Sequence, residues 1–377
     1  MIRRPLVLLV LGVTTATVAC APYQPRHKGG IDPSSGLYTR HDEDIVVLDS
    51  PPLVLKRTYL SGDHASRQFG VGGTHAGEWY LIGDGKTFQW AELILEDGGR
   101  IHFNRVSPGT SAVDGVFEHR STPTRFFESR LRWDPRGWAL AFKAGGAALF
   151  KRCNPDNSDR CSILEMSDAS GRRIRYVRDP SGLLLEMQGE NREILFDYDS
   201  SRRIVRASDS ADHWVRYEYD RGGRLSTVRD SDGAVRSYTY SARDELLTID
   251  EPGWSIENEF DANGRVVRQT TRYPDSDDEY TIRFAYMVRD GAVIQTDTTE
   301  YDGSHTRTVY NRSGYRVLET VHLDGPNPVE VLFDRDERTN IARSAAVRCR
   351  EGVQHMFFTA AEATFDAQEI VARTCRQ

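Results

Sequence analysis

Residues 215–233 read VRYEYDRGGRLSTVRDSDG, and the reading of this stretch decides the fold. Val215, Tyr217 and Tyr219 alternate with Arg216 and Glu218, the pattern of a half-buried strand. Asp220 is placed to accept a hydrogen bond from a backbone N–H two residues on and so to start a turn, and Gly222 or Gly223 supplies the positive φ that turn needs. Leu225 to Arg229 forms the return strand. Its apolar residues, Leu225 and Val228, stand three apart, which strict alternation does not allow and which predicts a bulge or a short strand. Asp-Ser-Asp-Gly (230–233) makes a second turn. Two strands and two turns consume about 20 residues, the spacing of hairpin-built β proteins.

Further copies flank this one. LFDYDSSRRIVRASD (195–209) lies upstream, RSYTYSARDELLTID (236–250) downstream, and NEFDANGRVVRQT begins at Asn258. Aligned on the second aromatic, the anchors are Tyr198, Tyr219, Tyr240 and Phe260, spaced 21, 21 and 20 residues apart, with Ile204, Leu225, Leu246 and Val266 six residues after each. One step earlier, RYVRDPSGLLLEM fits the frame with Val177 as anchor and Leu183 six residues on. Looser copies follow at 284–292, 308–317, 331–341 and 363–372. A fixed period of this length marks a repeat array. The expected fold is all-β: an array of seven to nine hairpins forming a curved or spiralling sheet.

Tyr-Asp-x-x-Gly-Arg-Leu at this period resembles the Rhs, or YD-repeat, family. YDRGGRL (219–225) is the best copy and FDANGRV (260–266) follows it. The resemblance makes Tyr198, Asp199, Tyr219, Asp220, Gly223, Arg224, Leu225, Tyr240, Phe260, Asp261, Gly264 and Arg265 structural anchors of repeats. It extends upstream through residues 32–73, with Arg-Thr-Tyr and a Phe-Gly-x-Gly turn, and through the hairpins at 99–106 and 137–152. Long members of that family wind many repeats into a closed shell around a C-terminal toxin, which is cut free at a Pro…Asp-Pro-x-Gly-Leu segment. That segment does not occur here, and 36 residues follow Ile341. The resemblance therefore implies a partial Rhs-like shell without cargo, and toxin delivery does not carry over.

The N-terminus, MIRRPLVLLVLGVTTATVAC, has two arginines, an apolar run and Thr-Val-Ala-Cys, the layout of a secretory signal. Pro5–Ala19 is shorter than the roughly 20 residues of a spanning helix. It resembles a bacterial lipoprotein signal, cleaved before Cys20, which would carry lipid; Thr17 stands where Leu or Val is usual. Ala21 in place of Asp implies sorting to the outer membrane. The alternative is an ordinary signal with Cys20 as a free thiol. Segments follow as 1–19 signal peptide, 20–36 Pro/Gly/Ser-rich tether, 37–152 Rhs-like N-terminal β domain, 153–341 repeats and 342–377 C-terminal hairpin with disulfide.

Cys153, Cys161, Cys349 and Cys375 form an even set, which in an exported chain implies disulfides. Of three pairings, 153–161 with 349–375 is expected, since CNPDNSDRC is a turn-rich loop whose ends can meet. The rival zinc reading lacks Cys-x-x-Cys or a nearby His. Asp-Ser-Asp-Gly and DSDDE (275–279) resemble fragments of calcium loops but offer no full ligand set, so they read as turns. FGVGGTHAG (69–77) lacks the Lys-Ser/Thr of a phosphate loop and reads as a tight turn. His75, His102, His119 and His305 could each meet a carboxylate in space. Trp79, Tyr80, Trp90, Trp133 and Trp138 suggest core aromatics with a weak pointer to a sugar-stacking face. A net charge of −7 excludes a nucleic-acid binder of the basic type, and five Lys against 44 Arg read as genomic bias. No catalytic residue, metal or cofactor is assigned. The expected function is that of a non-catalytic outer-membrane lipoprotein, anchored to the membrane by lipid and binding a polypeptide or envelope glycan. The alternatives are an accessory or immunity partner of an Rhs toxin system and an envelope glycan hydrolase.

Overall fold

A computed structural model of the chain describes residues 29–122, 124–154, 160–350, 352–358 and 371. The leading segment holds β1 (Gly29–Ile31), β2 (Tyr38–Val47), β3 (Leu53–Leu60), the short pair β4 (Ser66–Arg67) and β5 (Gly70–Val71), and β6 (Gly73–His75). β1, β2, β3 and β6 pair in that order as a four-stranded sheet. A single 3-10 turn, Ala76–Glu78, leads out of it.

Eight strands then follow: β7 (Tyr80–Gly83), β8 (Trp90–Ile94), β9 (Arg100–Arg105), β10 (Val116–Glu118), β11 (Arg130–Asp134), β12 (Gly137–Ala141), β13 (Ala147–Lys151) and β14 (Cys161–Ser167). They pair antiparallel in chain order, and Cys161 and Ser162 of β14 return to Leu81 and Tyr80 of β7, closing a ring. An eight-stranded barrel is just wide enough for side chains to fill. Trp79, Leu81, Leu93, Phe103, Phe117, Leu131, Trp138, Leu140, Phe150 and Ile163 are all buried in the shared core. Trp79 and Trp138 are thus packing residues, while Trp90 is half-buried and stacks on His102. The barrel runs through Ser167, beyond the expected boundary at 152, and the Cys153–Cys161 disulfide ties the chain just after β13 to the first residue of β14.

β14 then changes partner. Its second half pairs with β15 (Arg173–Arg178), and the sheet unrolls as an antiparallel meander in chain order. This meander continues through β16 (Leu184–Gln188), β17 (Glu193–Tyr198), β18 (Ile204–Asp209), β19 (Trp214–Tyr219), β20 (Leu225–Asp230), β21 (Val235–Tyr240), β22 (Leu246–Glu251) and β23 (Trp254–Phe260). It ends in β24 (Val266–Arg272), β25 (Glu279–Arg289), β26 (Ala292–Thr299), β27 (His305–Tyr310), β28 (Arg316–Val321), β29 (Val329–Arg335), β30 (Ala342–Cys349) and β31 (Gly352–Phe357). The fold is all-β, a long curved sheet growing from a barrel.

The repeat period has a structural cause. The register shifts between Asp197 and Tyr198, between Glu218 and Tyr219, between Thr239 and Tyr240, and between Glu259 and Phe260. In β19–β20, Tyr219 faces Leu225 while Glu218 faces Thr227, so Ser226 is the extra residue and Leu225 and Val228 both turn inward. The same shift falls between Val177 and Arg178, where Arg178 pairs with Leu184. The first anchor is therefore Arg178 with Leu184, one residue beyond the expected Val177 and Leu183. Its side chain is charged, so an alignment on aromatic residues misplaces it.

Residues 29–36, expected in the tether, are structured. β1 pairs with β2, and Gly36, at φ 77°, accepts the Val266 N–H at 2.9 Å. Position 342 is the first residue of β30, which pairs with β29 on one side and, as a hairpin, with β31 on the other. The loose copy at 363–372 lies outside the described residues except for Val371, which is helical. Cys20 and Cys375 also lie outside them; Cys349, at the end of β30, is disulfide-bonded.

Candidate functional site

The Asp and Arg side chains that recur in the repeat motif build its turns. Asp220 Oδ1 accepts from the N–H groups of Gly222 (2.8 Å) and Arg224 (3.0 Å), and its Oδ2 accepts from Arg224 Nε (2.8 Å). Burial opposes ionisation of this carboxyl, yet the Arg224 hydrogen bonds outweigh it and hold the group below the usual carboxylate range. Asp199 binds Ser201 and Arg203 in the same way, and Asp261 binds Asn263 and Arg265. Gly223 (φ 79°) and Gly264 (φ 76°) take the left-handed position, which Arg202 and Asp244 occupy in the alternate copies. Asp230 likewise accepts from Asp232 and Ala234, so Asp-Ser-Asp-Gly is a turn built on its own carboxylate.

The anchors reach backwards to the previous hairpin. Tyr198 Oη donates to Leu184 O (2.6 Å), Tyr219 to Ile204 O (2.6 Å), Tyr240 to Leu225 O (2.8 Å) and Tyr286 to Val266 O (2.7 Å). Phe260 has no hydroxyl. There Asn258 Nδ2 donates to Leu246 O at 3.0 Å, so the ladder is unbroken. Burial pushes the Tyr219 phenol well up, and it stays a donor.

The leading segment lies across these hairpins and is clamped by a buried charge network that alternation alone does not reveal. Arg40 pairs with Asp42 (2.7 Å) and Glu251; Arg57 pairs with Asp42 (3.0 Å) and Asp44 (2.9 Å); Arg236 reaches Asp44 at 2.9 Å. Three guanidiniums thus face three carboxylates, and Tyr217 and Tyr238 hydroxyls complete the cluster through Asp44 and Arg57. Burial opposes the charge on Asp42, but Arg57 and Arg40 overcome it and lower its pKa. Backbone bonds add to the clamp. The register shifts free N–H groups at Ile204, Leu246 and Val266, and these donate to Gln68 O, Tyr59 Oη and Gly36 O.

A cleft of 640 Å³ opens at the seam where β14 leaves β7 for β15. Glu78, Tyr80, Arg160, Arg178, Asp179 and Arg202 line it. Arg178 is fixed by the carbonyls of Gly182 (3.1 Å) and Gly77, and Arg160 lies 4.6 Å over the Tyr80 ring. Burial pushes the Glu78 carboxyl up to about 7, against the pull of Arg67, Arg178 and Arg160. The sequence reading missed Glu78, which appeared only as the residue after a tight turn; a lone acid between Gly77 and Trp79, both buried, was the available signal.

The histidines divide. His102 lies 3.4 Å from Glu92 and His305 meets Asp324. His75 instead contacts Gln68 (2.8 Å) and accepts the Gly77 N–H, and burial with nearby Arg178 lowers its pKa to about 3. His119 contacts His102 O and Thr122 Oγ1. Both of these buried histidines thus meet neutral partners. Among the described residues no group of three or more His, Cys, Asp or Glu side chains is arranged to hold a metal ion.

The family described as "Domain of unknown function (DUF6531)" matches residues 28–103, the leading segment and the first three barrel strands. No curated protein matches the chain in sequence. Among solved structures, the chain is similar to TcdB2-TccC3 without its hypervariable C-terminal region, at 12% identity and a TM-score of 0.40, covering 86% of this chain and 22% of that one. TcdB2-TccC3-TEV matches at 13% identity and a TM-score of 0.40, covering 86% and 18%. A Photorhabdus luminescens Tc holotoxin pore carrying a TccC3 mutation matches at 11% identity and a TM-score of 0.26, covering 88% and 23%. The chain spans less than a quarter of the length of these structures.

Proposed function

We propose that the protein is a non-catalytic envelope lipoprotein built of Rhs/YD-type repeats, held at the outer membrane through Cys20 and presenting its sheet to a polypeptide or envelope glycan. One observation carries the scaffold part of this reading: Tyr219, Asp220 and Arg224 of the YDRGGRL copy are spent on the hairpin's own hydrogen bonds and on the hairpins before and after it. A catalytic or ligand-binding motif would keep those groups for its ligand. The anchor part rests on the apolar run ending in Ala-Cys at residues 19–20.

Two measurements test it. Palmitate labelling of the parent and of Cys20→Ser should show label in the parent alone; equal label in both ends the anchor reading. A photoreactive residue placed in the intact cell at exposed Leu195, on β17, should give a cross-linked polypeptide or glycan adduct. The scaffold reading fails if exposed positions on several hairpins yield no adduct of either kind.

A further inference from the structure

The seam cleft is a built site that the repeat architecture leaves unused. Its lining sets Lys151, Arg160, Arg178 and Arg202 against Glu78 and Asp179, in a protein whose net charge is −7. Asp179 is occupied by its own turn, accepting from Ser181 Oγ and from the Leu183 N–H, each at 2.8 Å. Among the described residues, two buried side-chain atoms of the cleft lining have no hydrogen-bond partner, Glu78 Oε2 and Arg178 Nε. A folded protein leaves such atoms unpaired at a cost in stability, and a cleft holding two of them is matched to something that pairs with both. The guanidinium is held in place, since the Gly182 and Gly77 carbonyls take its two terminal nitrogens and leave Nε to be paired. Arg202 is set by the carbonyl of Ser181 at 2.9 Å. The volume falls within the range of small-molecule sites.

We propose that this cleft binds a small organic anion, through a carboxylate or phosphate group whose oxygens pair with Arg178 Nε and the guanidiniums of Arg160 and Arg202 while Glu78 donates a proton to the same ligand. The site is independent of the scaffold reading. Burial of Glu78 raises its pKa; Arg67, Arg178 and Arg160 face it and lower it, and Asp63 raises it. A bound anion adds negative charge beside this carboxyl, so binding takes up protons near neutral pH and weakens as pH rises.

Calorimetric titration of the full mature chain with citrate and with inorganic phosphate, and with glucose as the neutral control, tests this. The expected result is saturable heat with at least one anion and none with glucose. The heat should differ between HEPES and Tris in the sense of proton uptake, and affinity should be lower near pH 8 than near pH 6. Citrate alone assigns a carboxylate ligand; phosphate alone assigns a phosphorylated one. Arg160→Glu and Arg202→Glu should each weaken binding about tenfold with unchanged melting temperature. Glu78→Gln should reduce the buffer dependence of the heat. No saturable heat with either anion at millimolar concentration overturns the proposal, and so does undiminished affinity in both arginine variants.

Discussion

Tyr219 is the residue on which the architecture can be tested most directly. Its ring packs half-buried against the core, its hydroxyl donates to Ile204 O at 2.6 Å, and the Arg203 guanidinium lies 4.4 Å over its face. Tyr219→Phe keeps the ring and leaves the Ile204 carbonyl without its side-chain donor, which should cost about 1–2 kcal/mol. Tyr219→Ala also removes the ring. Aromatic-to-alanine changes in cores cost about 3–5 kcal/mol, and half-burial puts this one near the lower end, about 3 kcal/mol. The Phe260 hairpin supplies an internal comparison, because Asn258 Nδ2 makes the equivalent bond there. Asn258→Ala should cost more than Tyr219→Phe, because the buried Asn258 Oδ1 also accepts from Gln269 Nε2 at 2.8 Å and its loss leaves that amide unpaired. Urea titrations read the midpoint, with a constant slope certifying that stability and not the unfolded state has changed. If Tyr219→Ala lies within about 0.5 kcal/mol of the parent, the anchors are surface groups and the ladder is not what joins the hairpins.

The other expectations follow from the same structure. Asp44→Ala should destabilise by about 3–5 kcal/mol, since it leaves Arg57 and Arg236 buried without their shared carboxylate; a loss under about 1 kcal/mol would mean the clamp is not closed in solution. Gly223→Val places a β-branched side chain at φ 79° and should cost more than about 1 kcal/mol, whereas Glu218→Ala, exposed on the same hairpin, should cost about 0.5 kcal/mol or less; equal costs would contradict the turn geometry. The Glu78 carboxyl titrates at about 7 in the fold against an ordinary 4.5, so the folded state holds its proton more tightly. Its contribution is full below the ordinary value and is lost as pH rises toward 7. Melting temperatures measured between these limits should fall less steeply for Glu78→Gln than for the parent, and identical slopes would refute the burial of that carboxyl.

The hairpin array is legible in the sequence because its chemistry is local. Asp220, Gly223 and Arg224 lie within five residues of one another, and the turn they make depends on little else. The misplaced first anchor shows the limit of that legibility: Arg178 fills the structural position of a tyrosine with a side chain of another class. The clamp was not legible. Residues 39–44, Thr-Arg-His-Asp-Glu-Asp, look like an ordinary solvated strand, and Arg40 and Asp42 are each about 1% exposed only because repeats some 200 residues later cover them. Barrel closure was hidden for the same reason, since β7 and β14 are joined by two residue pairs far apart in the chain.

The clamp also imposes an order of events. Arg57, Tyr59 and Arg40 meet Tyr238, Asp244 and Glu251 across 181, 185 and 211 residues of chain. The leading hairpin is therefore made first and completes its clamp only once Glu251 has been made. Contacts of such long separation are slow to form, whereas each repeat hairpin needs only its neighbour. Until Glu251 has emerged, Arg40, Asp42, Asp44 and Arg57 lack the full set of repeats that bury them, and their hydration opposes docking. Folding of this chain thus has a built-in delay, whose length is set by the position of the acceptor repeats and not by the strength of any one bond. Moving the leading segment to the far end of the chain by circular permutation would bring clamp and acceptors together almost at once.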